Sequence, residues 1–251
     1  MIFTLARKEL YSLFLSPLAW SILAVIQFIL GYLFLGEVEL FLQIQPQLTT
    51  LIDAPGLTEL VVAPLFSYAA VILLLVIPLL TMRLISEERQ AGTLTLLFSS
   101  PISMTEIILG KYLGIIGFII IILLLMALMP LSLLLGGNLD FGMFASGFLA
   151  LFLLLASFTA VGLYMSTLSS QPIIAAISSF GLIIFLWVVD RTTNLSGDPS
   201  TNVTHYLSML QHYRPLISGI FKSSDIIYYL LFIITFLVLS IRRLDADRLQ
   251  H

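Results

Sequence analysis

The chain is 251 residues long, 59% hydrophobic and only 10% charged, whereas soluble domains carry about a quarter charged residues. A net charge of −3 with no basic stripe excludes the surface that a nucleic-acid backbone requires. Cysteine is absent, which removes disulfides and thiolate metal sites.

The apolar residues gather into blocks about 18 to 25 residues long, and at about 1.5 Å per helical residue each block crosses a hydrocarbon core about 30 Å thick. Six such blocks predict an all-α membrane protein of six transmembrane helices, folded as one transmembrane domain over residues 1–251. Ahead of them, residues 2–15 place Phe3, Ala6, Leu10, Leu13 and Phe14 on one helical face, with Thr4, Arg7, Lys8 and Tyr11 mostly opposite. That pattern predicts an amphipathic helix lying in the membrane interface. Ser16 then offers an N-cap and Pro17 suits a first helical position, so a new helix enters the bilayer at about 18–36. The competing reading, a cleaved signal peptide, asks for a shorter apolar run and a small-x-small site after it.

Residues 37–59 hold Glu37, Glu39, Asp53 and Glu59 with no Lys or Arg, and Pro46, Pro55 and Gly56 as breakers, so they read as an acidic loop. The second span follows at about 60–82, with Pro64 and Pro78 as sites of kinking. Ser103 and Glu106 form the ends of a capping box, with Ile102 and Ile107 as a hydrophobic staple, and open a third span over 103–135. Gly136, Gly137, Asn138 and Asp140 make a tight loop before span four at 143–165. Span five takes 173–189, and a long soluble stretch over 190–225 contains Gly197-Asp198-Pro199 as a break and room for short amphipathic helices from Thr204 to Lys222. The last span is 226–241, followed by a short basic tail. Arg7, Lys8, Arg83, Arg89, Lys111, Arg242, Arg243 and Arg248 then share one side, against Arg191, Arg214 and Lys222 on the other. The excess of basic residues marks the cytoplasmic side, so both termini are expected there.

No span carries a charge away from its ends, which disfavours a proton- or sodium-driven carrier. Gln27, Ser67, Tyr68, Ser157, Thr159, Ser178, Ser179 and Thr235 are the polar side chains at depth; interhelical hydrogen bonding is their first reading and substrate contact their second. The chain has no Gly-x-x-x-x-Gly-Lys-[Ser/Thr] loop, and its Gly110-Lys111 pair is followed by Tyr112, so nucleotide hydrolysis has no machinery here. His-Glu-x-x-His and Gly-x-Ser-x-Gly are absent too, leaving no catalytic residues to name. His205 and His212 share a helical face but lack a third ligand nearby, so no metal site is expected. Asn194-Leu195-Ser196 and Asn202-Val203-Thr204 match the glycosylation pattern in a stretch rich in Ser, Thr and Asn, where chance explains them.

The stretch from Met82 to Pro101 opens with four charges, Arg83, Glu87, Glu88 and Arg89, and ends in the apolar set Leu94, Leu96, Leu97 and Phe98. Two readings stand side by side: a short surface helix that seats in a groove on another protein, or a solvated loop whose leucines dip back into lipid. The order Glu87-Glu88, Arg89, Gly92-Thr93, Leu96-Leu97, Pro101, Ser103 and Gly110-Lys111 resembles the cytoplasmic loop of ABC-2 type transporter permeases. Ala6-Arg7-Lys8-Glu9-Leu10 with Ser16-Pro17 looks like that family's elbow helix, and the segment from His212 through Pro215 to Gly219, then Asp225 to Tyr229, is similar to its gliding-motility and nitrous-oxide-reductase-maturation branch.

The resemblance covers nearly the whole chain. It implies a type V exporter-like fold with the loop 83–102 as a coupling helix against a separate cytoplasmic ATPase dimer, which alone would bind ATP and Mg. It also implies a second permease copy or paralogue, a bacterial cytoplasmic membrane location, surrounding lipid and an outer-face partner. The loop before the last span is expected to dip into the outer leaflet, bent at Pro215 and Gly219. Spans one and five would form the dimer seam, where Ala175, Ala176 and Ser179 allow close approach, and Gly110 with Gly114 would serve helix packing. Export by such a permease is the leading expectation. A membrane anchor that transmits force to an outer-face partner and moves no solute is the alternative.

Overall fold

A computed structural model describes residues 1–48, 55–94, 102–135, 139–193 and 208–249. Asp53, Leu96, Leu97, Phe98, Pro101, Gly136, Gly137, Asn138, Asn194, Ser196, Gly197, Asp198, Pro199, Asn202, Thr204 and His205 lie outside the described residues.

Helix α1 spans Ile2–Leu15 and stops at Ser16, whose extended backbone (φ −82, ψ 129) turns the chain into α2, Pro17–Leu48. The expected loop from residue 37 is therefore corrected: α2 runs on past Gly36. Glu37 and Glu39 do not break a helix, Glu37 accepts a 2.7 Å hydrogen bond from Tyr68, and Leu40, Phe41, Leu42 and Ile44 keep the segment apolar. A π-helical turn, Thr58–Val62, leads into α3, Ala63–Thr81. After a one-residue interruption at Met82 comes α4, Arg83–Gln90. Then follow α5, Met104–Ser132, continued by a 3-10 turn at Leu133–Leu135; α6, Phe141–Leu168; α7, Pro172–Thr193; α8, Met209–Ile217; and α9, Ser223–Leu249.

Five of these stretches are long and apolar enough to cross a membrane: Pro17–Gln47, Thr58–Gln90, Met104–Leu135, Phe141–Leu168 and Ser223–Arg248. The chain is a multi-pass membrane protein. The apolar part of α7, Pro172–Trp187, is shorter; at about 1.5 Å per residue it rises about 24 Å, less than a full hydrocarbon thickness.

The start of α5 follows its sequence signal. Ser103 accepts from the Glu106 amide at 3.2 Å and Glu106 accepts from the Ser103 amide at 3.2 Å, completing the capping box. Ser103→Ala is expected to destabilise the chain by about 1 kcal/mol. The change should appear as a lower unfolding midpoint in detergent and faster amide exchange confined to the first turn of α5.

Helix α6 is the hub. It packs against α3, α4, α5, α7, α8 and α9, and it is buried on every side from Ala150 to Leu163 apart from the half-buried Phe152. Small residues allow the closest crossings: a Cβ on Gly162 would lie 2.0 Å from Thr81 Oγ1, and one on Gly147 would lie 2.7 Å from the Phe66 ring. The same device seats α1 on α5. Cβ atoms on Gly110, Gly114 and Gly117 would meet Leu5 at 2.6 Å, Glu9 at 2.7 Å and Leu10 at 3.4 Å. The packing face of α1 is thus Leu5, Ala6, Glu9 and Leu10, and Phe3 is 83% exposed to the surroundings of the bundle. A helix–helix contact, rather than lipid alone, sets the orientation of α1.

The polar side chains at depth also divide differently from expectation. Gln27 bonds across to the Ile122 carbonyl at 3.1 Å and Tyr68 to Glu37, linking α2 to α5 and α3 to α2. Ser67, Ser157, Thr159, Ser178, Ser179 and Thr235 instead donate to carbonyls three or four residues back in their own helices. A hydroxyl on a helix has that acceptor within reach at no cost in packing.

Candidate functional site

The cross-helix ion pairs between α1, α4, α5 and α9 gather at one end of the bundle, where the N-termini of α1 and α5 meet the C-termini of α4, α6 and α9. Lys111, on the second turn of α5, is buried and reaches Glu88 of α4 at 2.8 Å and Glu9 of α1 at 3.6 Å. Its ammonium would be costly there alone, and the two carboxylates offset that cost. Arg89, one residue after Glu88, donates to the Thr167 carbonyl of α6 at 2.9 Å and forms an ion pair with Asp247 of α9, which Arg243 also approaches at 3.5 Å. Met1, through its amino group, lies 3.8 Å from Glu106. Adjacent residues of α4 are therefore tied to different helices, Glu88 to α5 and Arg89 to α6 and α9.

The other predicted residues of this region have separable tasks. Gly92 has φ +70, the left-handed conformation that favours glycine. Gly92 N–H donates to the Arg89 carbonyl at 3.2 Å and Thr93 N–H to the Glu88 carbonyl at 3.0 Å. These two bonds form a Schellman cap, so Gly92-Thr93 is the stop of α4. Arg83, Glu87 and Gln90 are exposed. They form a ridge with a groove on either side: a cleft of about 230 Å³ toward Glu9, Ser12 and Ser16, and a second depression toward Gln171, Pro172 and Ile173. Arg83 and Glu87 line both. On α1, Arg7 and Lys8 are exposed and Glu9 is turned inward; Pro17 opens α2 at the surface.

The N-terminus of α4 is held from another helix. Ser166 of α6 accepts from the Ile85 amide at 3.0 Å and the Ser86 amide at 3.1 Å, and it donates to the Met82 carbonyl at 3.0 Å. Residues so far apart in the chain give no sequence signal of this contact. Lys111 was legible only as the end of a Gly-Lys motif, and Asp247 as one acid in a basic tail.

At the opposite end, α8 is inserted among α6, α7 and α9 rather than lying free. Ser146 donates to the Leu216 carbonyl at 2.7 Å, Tyr213 to the Phe66 carbonyl at 2.9 Å and Tyr229 to the Met209 carbonyl at 2.8 Å. Burial pushes the Tyr213 phenol well above its ordinary value, which keeps it a donor. His212 pairs with Asp225 at 2.8 Å and stacks on Tyr228 with ring centroids 4.1 Å apart. Pro215 lies inside α8, and Gly219, at φ +79, ends it through the Gly219-to-Leu216 and Ile220-to-Pro215 amide–carbonyl bonds.

On α7, Ala175 and Ser179 are fully buried against the rest of this chain, and Ala176 is half-buried. The face that α7 leaves open carries Ile173, Ile174, Ile177 and Phe185. No group of three or more His, Asp or Glu residues arranged to hold a metal ion occurs among the described residues.

No curated protein matches the chain. A family model described as "ABC-2 family transporter protein" matches residues 3–249. The match includes the helix α1, the charged clamp around Lys111 and Arg89, and the inserted α8, and on that extent the chain belongs to the ABC-2 family of transporter proteins.

Proposed function

We propose that the chain is the membrane-spanning subunit of an ATP-driven transporter, and that a separate cytoplasmic ATPase docks on α4. The observation that carries this reading is the ridge of Arg83, Glu87 and Gln90, exposed between two grooves, on a helix whose next residues are clamped by ion pairs to α1, α5 and α9. A partner that pushes there meets a rigid handle and not a loop. In this reading ATP and Mg belong to the ATPase, this chain catalyses nothing, and both termini lie on the cytoplasmic side of a bacterial inner membrane. The basic residues support that orientation, because Arg7, Lys8, Arg83, Arg89, Arg242, Arg243 and Arg248 all lie at the α4 end.

Helix α1 is the elbow, resting on α5. Helix α7 completes a sixth crossing, and its open isoleucine face beside Ala176 meets a second copy or a paralogue. The segment of Pro215 and Gly219 is the outer re-entrant element.

Glu87 is the sharpest probe, since it is exposed and makes none of the ion pairs described above, whereas Glu88 holds Lys111. Glu87→Lys combined with Arg83→Glu is expected to weaken ATPase capture about tenfold, as charge reversal at an interface does. The unfolding midpoint should stay at the parent value. Undiminished capture by the double variant removes α4 as the docking element. Solute flux into liposomes holding only this chain and its ATPase would separate transport from force transmission to an outer-face partner.

A further inference from the structure

We infer that the last turn of α6, through Ser166 and Thr167, clasps α4 at both ends and makes α6 the helix that receives movement of α4, with Met82 as the joint between α4 and the span before it. The inference rests on the proposed seating of the ATPase on α4 for the source of that movement, but not for the clasp itself.

The start of α4 has an unfilled requirement. A helix that begins after Met82 needs an acceptor for its third amide, and this is ordinarily supplied by the side chain of the residue just before the first turn. Met82 has no polar side chain, and no local group caps α4. The acceptor comes instead from Ser166, whose hydroxyl takes the Ile85 and Ser86 amides and gives its proton to the Met82 carbonyl. One residue on, the Thr167 carbonyl accepts from Arg89 at the other end of α4. Thr81, Ile85, Ser86, Ser166 and Thr167 are all fully buried, so water does not stand in for a missing partner.

The joint therefore has two satisfied arrangements. With the Ser166 hydroxyl in place, the Ile85 amide is capped by α6 and the hydrogen-bond ladder is interrupted at Met82, whose own backbone stays helical at φ −56 and ψ −32. Without it, the same amide finds its acceptor four residues back, at the Thr81 carbonyl, and the ladder runs on from α3 into α4. The serine selects the first. Movement of α4 then passes into α6, which touches most of the bundle and at its far end holds the Leu216 carbonyl of α8 through Ser146. The route from one side to the other runs through the most buried helix, and span two is bypassed at its own break. Ser166 acts through α4 and is a positioning residue.

The chain has no cysteine, so paired spin labels can be placed without altering it further. Three exposed sites report the joint: Gln90 on α4, Leu168 on α6 and Leu79 on α3. In lipid nanodiscs holding the full chain, Ser166→Ala is expected to shift the ratio of clasped to released α4 by about fivefold, the equilibrium worth of one helix cap. The Gln90–Leu168 distribution should broaden toward longer distances and the Gln90–Leu79 distribution should move to the value of a straight helix. Ser166→Thr keeps the hydroxyl and should restore the parent distributions. Unchanged distributions in Ser166→Ala overturn the clasp, and so does a Ser166→Thr variant that behaves like alanine, because packing and not the hydroxyl would then be responsible.

A second arm adds the ATPase. Nucleotide should shift the distance between labels at Phe141 and Leu231 in the parent but not in Ser166→Ala, with hydrolysis retained in both. An equal shift in the two overturns α6 as the receiving helix. A chain that shows the clasp but binds no ATPase supports the clasp and sinks the docking role of α4 instead.

Discussion

Replacing Lys111 by methionine is expected to destabilise the protein by about 3 kcal/mol, because it removes the cation that sits between two partly buried carboxylates, Glu9 and Glu88, and leaves both in place. Methionine keeps the unbranched stem as far as Cε and lacks only the ammonium, so the effect reports the lost charge far more than lost packing. Glu9 and Glu88 retain side-chain exposures of 25% and 31%, which lets water relieve part of their repulsion and sets the figure below that of a fully dry pair. Unfolding titrations in detergent would read the loss. Adding Glu9→Gln and Glu88→Gln to the same chain should recover at least half of it, since the uncompensated charges are then gone. If the single variant is as stable as the parent, the ion centre is incidental to the junction of α1, α4 and α5.

A second large effect is expected at Gly162. An alanine there would place Cβ 2.0 Å from Thr81 Oγ1 and 2.8 Å from Thr81 Cβ, where α3 and α6 cross. Thr81 is fully buried and its hydroxyl already donates to the Ile77 carbonyl at 2.9 Å, so neither a rotation nor a small shift makes room. The helices must separate. Overpacking of this kind costs about 3 kcal/mol, and because the crossing lies one turn before Ser166, it should also loosen α4. Thr81→Ala in the same chain removes Oγ1 and Cγ2 but not Cβ, and should restore only part of the stability. Gly36→Ala is the matched control: nothing lies within 4 Å of its Cβ position, so it should be neutral or slightly stabilising. Equal behaviour of the two alanine variants would mean that the α3–α6 crossing tolerates a wider separation than the structure gives it.

Local signals carried a large part of this architecture. The Ser103-to-Glu106 capping box, the stop at Ser16 and the start at Pro17 depend on residues within a turn of one another, and the structure has each of them. Gly110 and Gly114 announced a close helix contact, but the sequence did not say with which helix; it is α1, through Leu5 and Glu9. The acidic stretch after Gly36 reads as a loop because it holds Glu37, Glu39 and the breaker Pro46, yet Glu37 has Tyr68 to bond and the helix runs through Pro46 to Leu48. In the candidate site, Glu87, Glu88, Gly92 and Thr93 were visible as a motif, yet the motif does not reveal that one carboxylate faces outward while its neighbour is held by Lys111. The partners of Arg89 and Ile85, at Asp247 and Ser166, are set by how helices distant in the chain come together, and no periodicity encodes that.

The pinning of α8 has a consequence for how the protein tolerates sequence drift. Three of the bonds that hold it run from side-chain hydroxyls, those of Ser146, Tyr213 and Tyr229, to the backbone carbonyls of Leu216, Phe66 and Met209. A carbonyl is present whatever residue carries it, so only one member of each pair is constrained by the bond. Among related chains the three hydroxyl positions should stay fixed while the three acceptor positions exchange freely among apolar residues of similar bulk. The pairs would then show no correlated change, and contacts inferred from covariation would miss the attachment of α8 even though three side-chain hydroxyls hold it in place.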